Sequence, residues 1–169
     1  MKPETLLQIA LSAAVEAGEA IMKIYTHPDW DWEVERKADN SPLTLADRRS
    51  HAVIAQALDM TPYPLLSEEG CHEDYAVRKQ WETLWICDPL DGTKEFIKRN
   101  GEFTVNIALV KDGVPVMGVI YVPVSRTLFW GHTEAFNGEI AAWRCEVDET
   151  GSLVGQTALP LNDGAERPY

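Results

Sequence analysis

Cysteine is scarce and scattered in this 169-residue chain: Cys71, Cys87 and Cys145 form an odd set without metal-ligand spacing. That excludes a disulfide framework and a thiolate zinc site, and it fits a reduced cytosolic protein. Basic residues are also few, 15 against 27 acidic, for a net charge of −12. No basic patch dominates, which argues against a general nucleic-acid binder, and no nucleic-acid polymer is expected as a partner. A P-loop and a dinucleotide-binding glycine fingerprint are both missing. No segment reads as long and apolar enough to span a membrane. The N-terminus comes nearest to a secretory signal, with Met1-Lys2 ahead of Leu6-Leu7-Gln8-Ile9-Ala10-Leu11, but Glu4, Glu16 and Glu19 break that pattern. The expected location is cytoplasmic, with peripheral membrane association left open. What remains is ordinary for a globular domain, 45% hydrophobic and 25% charged, with length enough for one real core.

Periodicity orders that core into helices first and strands later. Leu6, Ile9, Ala10, Ala13, Ala17, Ala20, Ile21 and Ile24 share one helical stripe, predicting an amphipathic first helix. Trp32 and Val34 alternate with Glu33 and Glu35 as a strand or hairpin arm, broken by Asn40-Ser41-Pro42. A second helix is predicted from about Thr44 to Leu58, with Ala46, Val53, Ile54, Ala57 and Leu58 inward. Residues 71 to 82 read as a polar connection with room for a helical turn. Strands follow at Leu84 to Cys87, Phe103 to Val110, Val114 to Val122, Leu128 to Trp130 and Ala141 to Val147. Lys111-Asp112-Gly113 marks a hairpin turn. The expected class is α+β, two long helices packed on a largely antiparallel sheet.

The chemistry concentrates in Asp88-Pro89-Leu90-Asp91-Gly92-Thr93. Two carboxylates bracket a proline just after an apolar run, so they fall where a strand should end and a turn begin. A second acidic cluster, Ser67-Glu68-Glu69-Gly70, closes the short apolar run Leu65-Leu66. Hard cations such as Mg²⁺ take carboxylate oxygens together with substrate phosphate oxygens, so two such strand ends suit a metal site. Asp-Pro and Asp-Gly alone would be ordinary turn dipeptides; the whole hexapeptide with acids upstream carries more. Gly92 and Thr93 also offer backbone N–H groups at a helix start, suited to holding phosphate. Thr44-Leu45-Ala46-Asp47 resembles a capping box.

The block from Asp88 to Leu109, including Thr93-Lys94-Glu95-Phe96 and Gly101-Glu102-Phe103-Thr104-Val105-Asn106-Ile107-Ala108, resembles the signature of the Mg²⁺-dependent phosphatases related to inositol monophosphatase. Within them it is most similar to bacterial 3′(2′),5′-bisphosphate nucleotidases of the CysQ type. The resemblance covers residues 4 to about 143. It implies a layered sugar-phosphatase-like fold and two or more Mg²⁺ ions. It implies that Glu68, Asp88, Asp91 and the Leu90 carbonyl are metal ligands, with Glu69 the alternative if the register slips by one. It implies that Asp47 and Thr93 orient the attacking water, so Asp47 has a catalytic and a capping reading side by side. The implied substrate is adenosine 3′,5′-bisphosphate, hydrolysed to AMP and phosphate. An inositol monophosphatase-like phosphatase and a weak or inert metal-binding domain are the alternatives.

The resemblance also implies a later Trp-Asp-x-Ala-Ala motif, and none occurs here. Residues 1–147 are expected to be the N-terminal metal- and phosphate-binding part of the fold, with its C-terminal half absent. Residues 148–169 are expected to be an irregular tail, with disorder as an open alternative. Exposed apolar surface and self-association are expected to follow.

Overall fold

The computed structural model describes residues 1–27, 35–36, 42–70 and 73–160. Helix α1 (Pro3–Tyr25) begins on a proline at its first position, where the missing N–H costs nothing. Its buried set is wider than the predicted stripe, adding Leu11, Ala14, Val15 and Gly18. The reason is that α1 is covered on two sides, by helix α2 (Leu45–Leu58) and by the sheet. Gly18 permits the closest approach: a Cβ there would lie 2.3 Å from the Tyr121 ring. By length and apolar content α1 could cross a membrane, which corrects the expectation that no segment could. Here its apolar residues belong to the core cluster, alongside Ile54, Leu58, Trp85, Val105, Val119 and Leu128.

A short pair, β1 (Glu35–Arg36) with β2 (Pro42–Leu43), precedes α2. The predicted arm at Trp32 to Val34 lies outside the described residues. The main sheet has seven strands in chain order: β3 (Leu65–Ser67), β4 (Thr83–Asp91), β5 (Thr104–Lys111), β6 (Val114–Val122), β7 (Thr127–His132), β8 (Ala141–Val147) and β9 (Leu153–Ala158). Among the described residues, only β3 and β4 run parallel; every other pair is antiparallel. Helix α3 (Tyr75–Arg78) supplies a helical turn between β3 and β4. Helix α4 (Thr93–Lys98) follows β4, and α5 (Glu134–Asn137) follows β7. Asp112 and Gly113, at φ 51° and 77°, make the tight turn between β5 and β6.

Two expectations need correction. Pro89 does not end its strand. β4 continues to Asp91, and the ladder to β5 jumps from Asp88↔Asn106 to Asp91↔Thr104. Pro89 has no N–H to give, and a bulge is the place within a sheet where none is needed. The stretch from residue 148 is not wholly irregular either, because it contains β9. Every side chain of β9 is exposed, so no alternation of burial marks it in the sequence.

Candidate active site

The parallel pairing of β3 and β4 brings two acidic strand ends together. Ser67 pairs with Cys87, and the Glu68 N–H donates to the Cys87 carbonyl at 3.1 Å. Glu68 is thereby set beside Asp88, within hydrogen-bond reach of its carboxyl group. Burial, then the charge of Glu68 and that of Asp91, push the Asp88 carboxyl up to about 7, against a lowering bond from the Leu90 N–H to Asp88 Oδ1 at 3.2 Å. Asp91, at the end of β4, accepts from Asn106 Nδ2 at 3.0 Å through Oδ2.

Gly92 then turns the chain. Its φ of 96° is left-handed, and a Cβ would lie 2.8 Å from the Glu102 carbonyl oxygen, so this corner requires glycine. Gly92 takes the N-cap position, and Thr93 becomes the first residue of α4. The helix is anchored by Phe96, buried with its ring 5.2 Å from Tyr25 and 5.4 Å from Phe103.

From α4, the Thr93 hydroxyl donates to Asp47 Oδ1 at 3.0 Å, with the Leu90 carbonyl 3.3 Å away. Asp47 lies in the first turn of α2, where its Oδ2 accepts from the Thr44 N–H at 2.8 Å and the Thr44 hydroxyl at 2.5 Å. The Thr44 hydroxyl in turn accepts from the Ala46 N–H at 3.1 Å. The capping geometry and the contact with Thr93 therefore coexist, one on each carboxylate oxygen. Asp47 is only 1% exposed, and burial raises its pKa despite these bonds.

Oxygen donors of this kind suit Mg²⁺, and the mutual repulsion around Asp88 is the kind a divalent cation relieves. Among the described residues, no group of three acidic, His or Cys side chains is already gathered to hold a metal. The arrangement is a Glu68–Asp88 pair with Asp91 turned toward Asn106. Glu69, the alternative ligand, is half-buried, and its N–H faces the Ser67 hydroxyl at 3.4 Å.

Three supporting residues escaped the sequence reading. The Ser50 hydroxyl, fully buried, donates to the Pro89 carbonyl at 2.6 Å. His51 is half-buried with Nδ1 2.8 Å from the Ser67 hydroxyl, and burial lowers its pKa. Asn106 is the third. Ser50 and His51 lie three and four residues after Asp47, on its helix face, and Asn106 is a polar interruption of an apolar strand; those spacings were the available signals.

The inositol monophosphatase family model matches residues 2–158. The chain belongs to the inositol monophosphatase family. It is 46% identical over 143 residues to the 3′(2′),5′-bisphosphate nucleotidase CysQ of Salmonella typhimurium, covering 83% of this chain and 55% of the relative. For the CysQ of Escherichia coli strain K12 the values are 50% over 128 residues, 73% and 50%. The crystal structure of CysQ from Bacteroides thetaiotaomicron superposes with a TM-score of 0.76 at 49% identity, covering 96% of this chain and 60% of that one. The extragenic suppressor protein SuhB of Bartonella henselae follows at 0.71 and 28%, covering 86% and 55%. The layered α+β fold is thus the fold of this family's structures. The chain spans about half the length of the curated relatives it matches.

Proposed function

We propose that this chain carries the metal- and water-binding part of a Mg²⁺-dependent phosphate-monoester hydrolase acting on adenosine 3′,5′-bisphosphate to give AMP and phosphate. The observation that carries the reading is the Thr93 hydroxyl bonded to buried Asp47 at 3.0 Å beside a self-repelling carboxylate cluster. The substrate class rests on relatives named as 3′(2′),5′-bisphosphate nucleotidases.

Glu68, Asp88, Asp91 and the Leu90 carbonyl are the residues that would hold two or more Mg²⁺ ions, which would neutralise phosphoryl oxygens and acidify a bound water. The chain's own residues orient that water. Both bonds to Thr44 fall on Asp47 Oδ2, so Oδ1 is the oxygen left for Thr93. Thr93 directs its single hydroxyl hydrogen there, and its lone pairs then accept from a water. As the water oxygen bonds to phosphorus in line, its proton passes to Thr93 Oγ1 and the Thr93 proton to Asp47 Oδ1. The ester P–O bond breaks with its electron pair on the leaving oxygen. A pKa raised by burial makes Asp47 the better acceptor for that proton. The Gly92 and Thr93 N–H groups belong to the same reading as phosphate donors, as do a cytoplasmic location and the absence of a nucleic-acid polymer partner.

The test is phosphate release from adenosine 3′,5′-bisphosphate and from inositol 1-phosphate at millimolar Mg²⁺, with Asp88→Asn as the blank. Faster release from the nucleotide is expected. Preference for the inositol ester would make this an inositol monophosphatase-like enzyme instead. A second reading is favoured by the lack of Trp-Asp-x-Ala-Ala within these 169 residues: a metal-binding unit of weak turnover by itself. Metal binding with no release above the blank is its signature.

A further inference from the structure

We propose that Asn106 is a positioning residue that holds Asp91 as a single-oxygen ligand and so favours Mg²⁺ over Ca²⁺; the inference rests on the reading of Asp91 as a metal ligand. β5 alternates buried Val105 and Ile107 with half-buried Thr104 and Asn106 on the opposite face. Asn106 is the ladder partner of Asp88, and Thr104 is the partner of Asp91. Between those two rungs β4 bulges. The side chain of Asn106 spans the bulge: from the rung of one carboxylate it bonds the other, with Nδ2 3.0 Å from Asp91 Oδ2.

Chemistry fixes the sense of this bond. An ionised carboxylate only accepts, so the amide nitrogen must face Asp91 and the amide oxygen must face away. That oxygen accepts from the Thr104 hydroxyl at 3.2 Å. Thr104, Asn106 and Asp91 therefore form a directional chain ending on one carboxylate oxygen. Asp91 is exposed, and without the chain its side chain would sample several rotamers. With Oδ2 engaged by Asn106, Oδ1 is the oxygen left to a cation. Single-oxygen binding suits the strict octahedral shell of Mg²⁺, whereas Ca²⁺ accepts bidentate carboxylates and larger, looser shells.

Calorimetric titration with Mg²⁺ alone and with Ca²⁺ alone tests this on the whole chain, alongside melting curves. Asn106→Ala should bind Mg²⁺ about ten-fold more weakly, as loss of a ligand's hydrogen-bond partner does. Its Ca²⁺ affinity should change by a smaller factor or rise. Adding the substitution to Asp91→Asn should have no further effect. Thr104→Val leaves Asn106 and Asp91 in place and should shift Mg²⁺ affinity in the same direction by less, which keeps the test open should Asn106→Ala not fold. Unchanged Mg²⁺ affinity in Asn106→Ala overturns the inference, as does an equal loss for both cations with and without Asp91. A wild-type chain that binds no Mg²⁺, or an Asp91→Asn variant that binds it normally, overturns the metal reading and this inference with it.

Discussion

Replacing Asp47 by Asn separates its capping contact from its proposed catalytic one, because the two fall on different carboxylate oxygens. Oδ2 takes the two bonds from Thr44, and Oδ1 takes the Thr93 hydroxyl. An asparagine has one acceptor oxygen. Kept on the Thr44 side, it preserves the cap, and its NH₂ then faces Thr93. The Thr93 hydroxyl must accept from that amide, and its hydrogen turns to the Leu90 carbonyl at 3.3 Å. One bond is reversed in sense and none is lost. The substitution also removes a buried charge whose pKa is already raised, which offsets part of any loss. The net change should stay within about 1 kcal/mol, or about 2–4 °C in Tm for a chain of this size.

The proposed catalysis has no such compensation. Thr93 would no longer have a base behind it to take its proton, and one of its lone pairs would be held by the Asn amide. A lost general base costs about 10²–10⁴-fold, and the loss should fall on kcat rather than on Mg²⁺ affinity. The assay is phosphate release from adenosine 3′,5′-bisphosphate, run in this chain and at the matching position of a full-length relative. Thr44→Ala is the comparison: it keeps the N–H bond to Asp47 Oδ2 and loses the hydroxyl one, so it should cost about 1–2 kcal/mol of stability and lower kcat far less than Asp47→Asn does. An Asp47→Asn protein with near-normal kcat and a Tm lowered by several degrees would refute the catalytic role and leave only the capping box.

Other expectations follow from the same site and the sheet beside it. Asp88 has a folded-state pKa raised to about 7, so its contribution to metal-free stability is fully present below about pH 4 and is lost as pH rises through 7. Asp88→Asn should therefore be more stable than wild type at pH 8, by about 1–2 kcal/mol once solvent screening of a half-exposed group is allowed for, and should show no Mg²⁺ binding by calorimetry. Equal stability of the two at pH 8 would contradict the strain at Asp88. Gly92→Ala must accept a φ of 96° and a close approach to the Glu102 carbonyl, which should cost about 1–3 kcal/mol and misplace Thr93; an unchanged melting curve would count against this corner. On the sheet face away from α1 and α2, Ile86 and Ile120 remain 40% and 47% exposed beside a groove of about 620 Å³. If this face drives self-association, Ile120→Lys should shift light scattering toward monomer, and identical profiles would remove it as the cause.

How much of this was legible in the sequence depended on whether burial left a period. α1 and α2 each keep a polar face in solvent, so their positions follow from spacing alone, and Asp112-Gly113 announces its hairpin by turn chemistry. The convergence of Glu68 with Asp88 was legible because each closes a short apolar run, and parallel neighbours bring such ends together. β9 buries nothing and left no trace. Pro89 misled because a proline within a strand reads as a stop until the bulge is seen. Asn106 carries no legible role, since nothing in a sequence tells which rung of a neighbouring strand a polar side chain will reach.

The competition between cap and catalyst at Asp47 dissolves for a structural reason. Residues Asp47, Ser50 and His51 share one face of α2 by their spacing. That face meets three separate segments: Thr93 at the head of α4, the Pro89 carbonyl in the β4 bulge, and Ser67 next to Glu68. One rigid helix thus sets the relative positions of the proposed water-binding pair and both acidic strand ends. A carboxylate can be buried at that junction because the first turn of a helix offers donors to satisfy it, the Thr44 N–H and hydroxyl. The capping box is what allows Asp47 to be charged, buried and correctly aimed at once. Its presence is therefore no evidence against a catalytic role; it is the condition under which such a role is physically available.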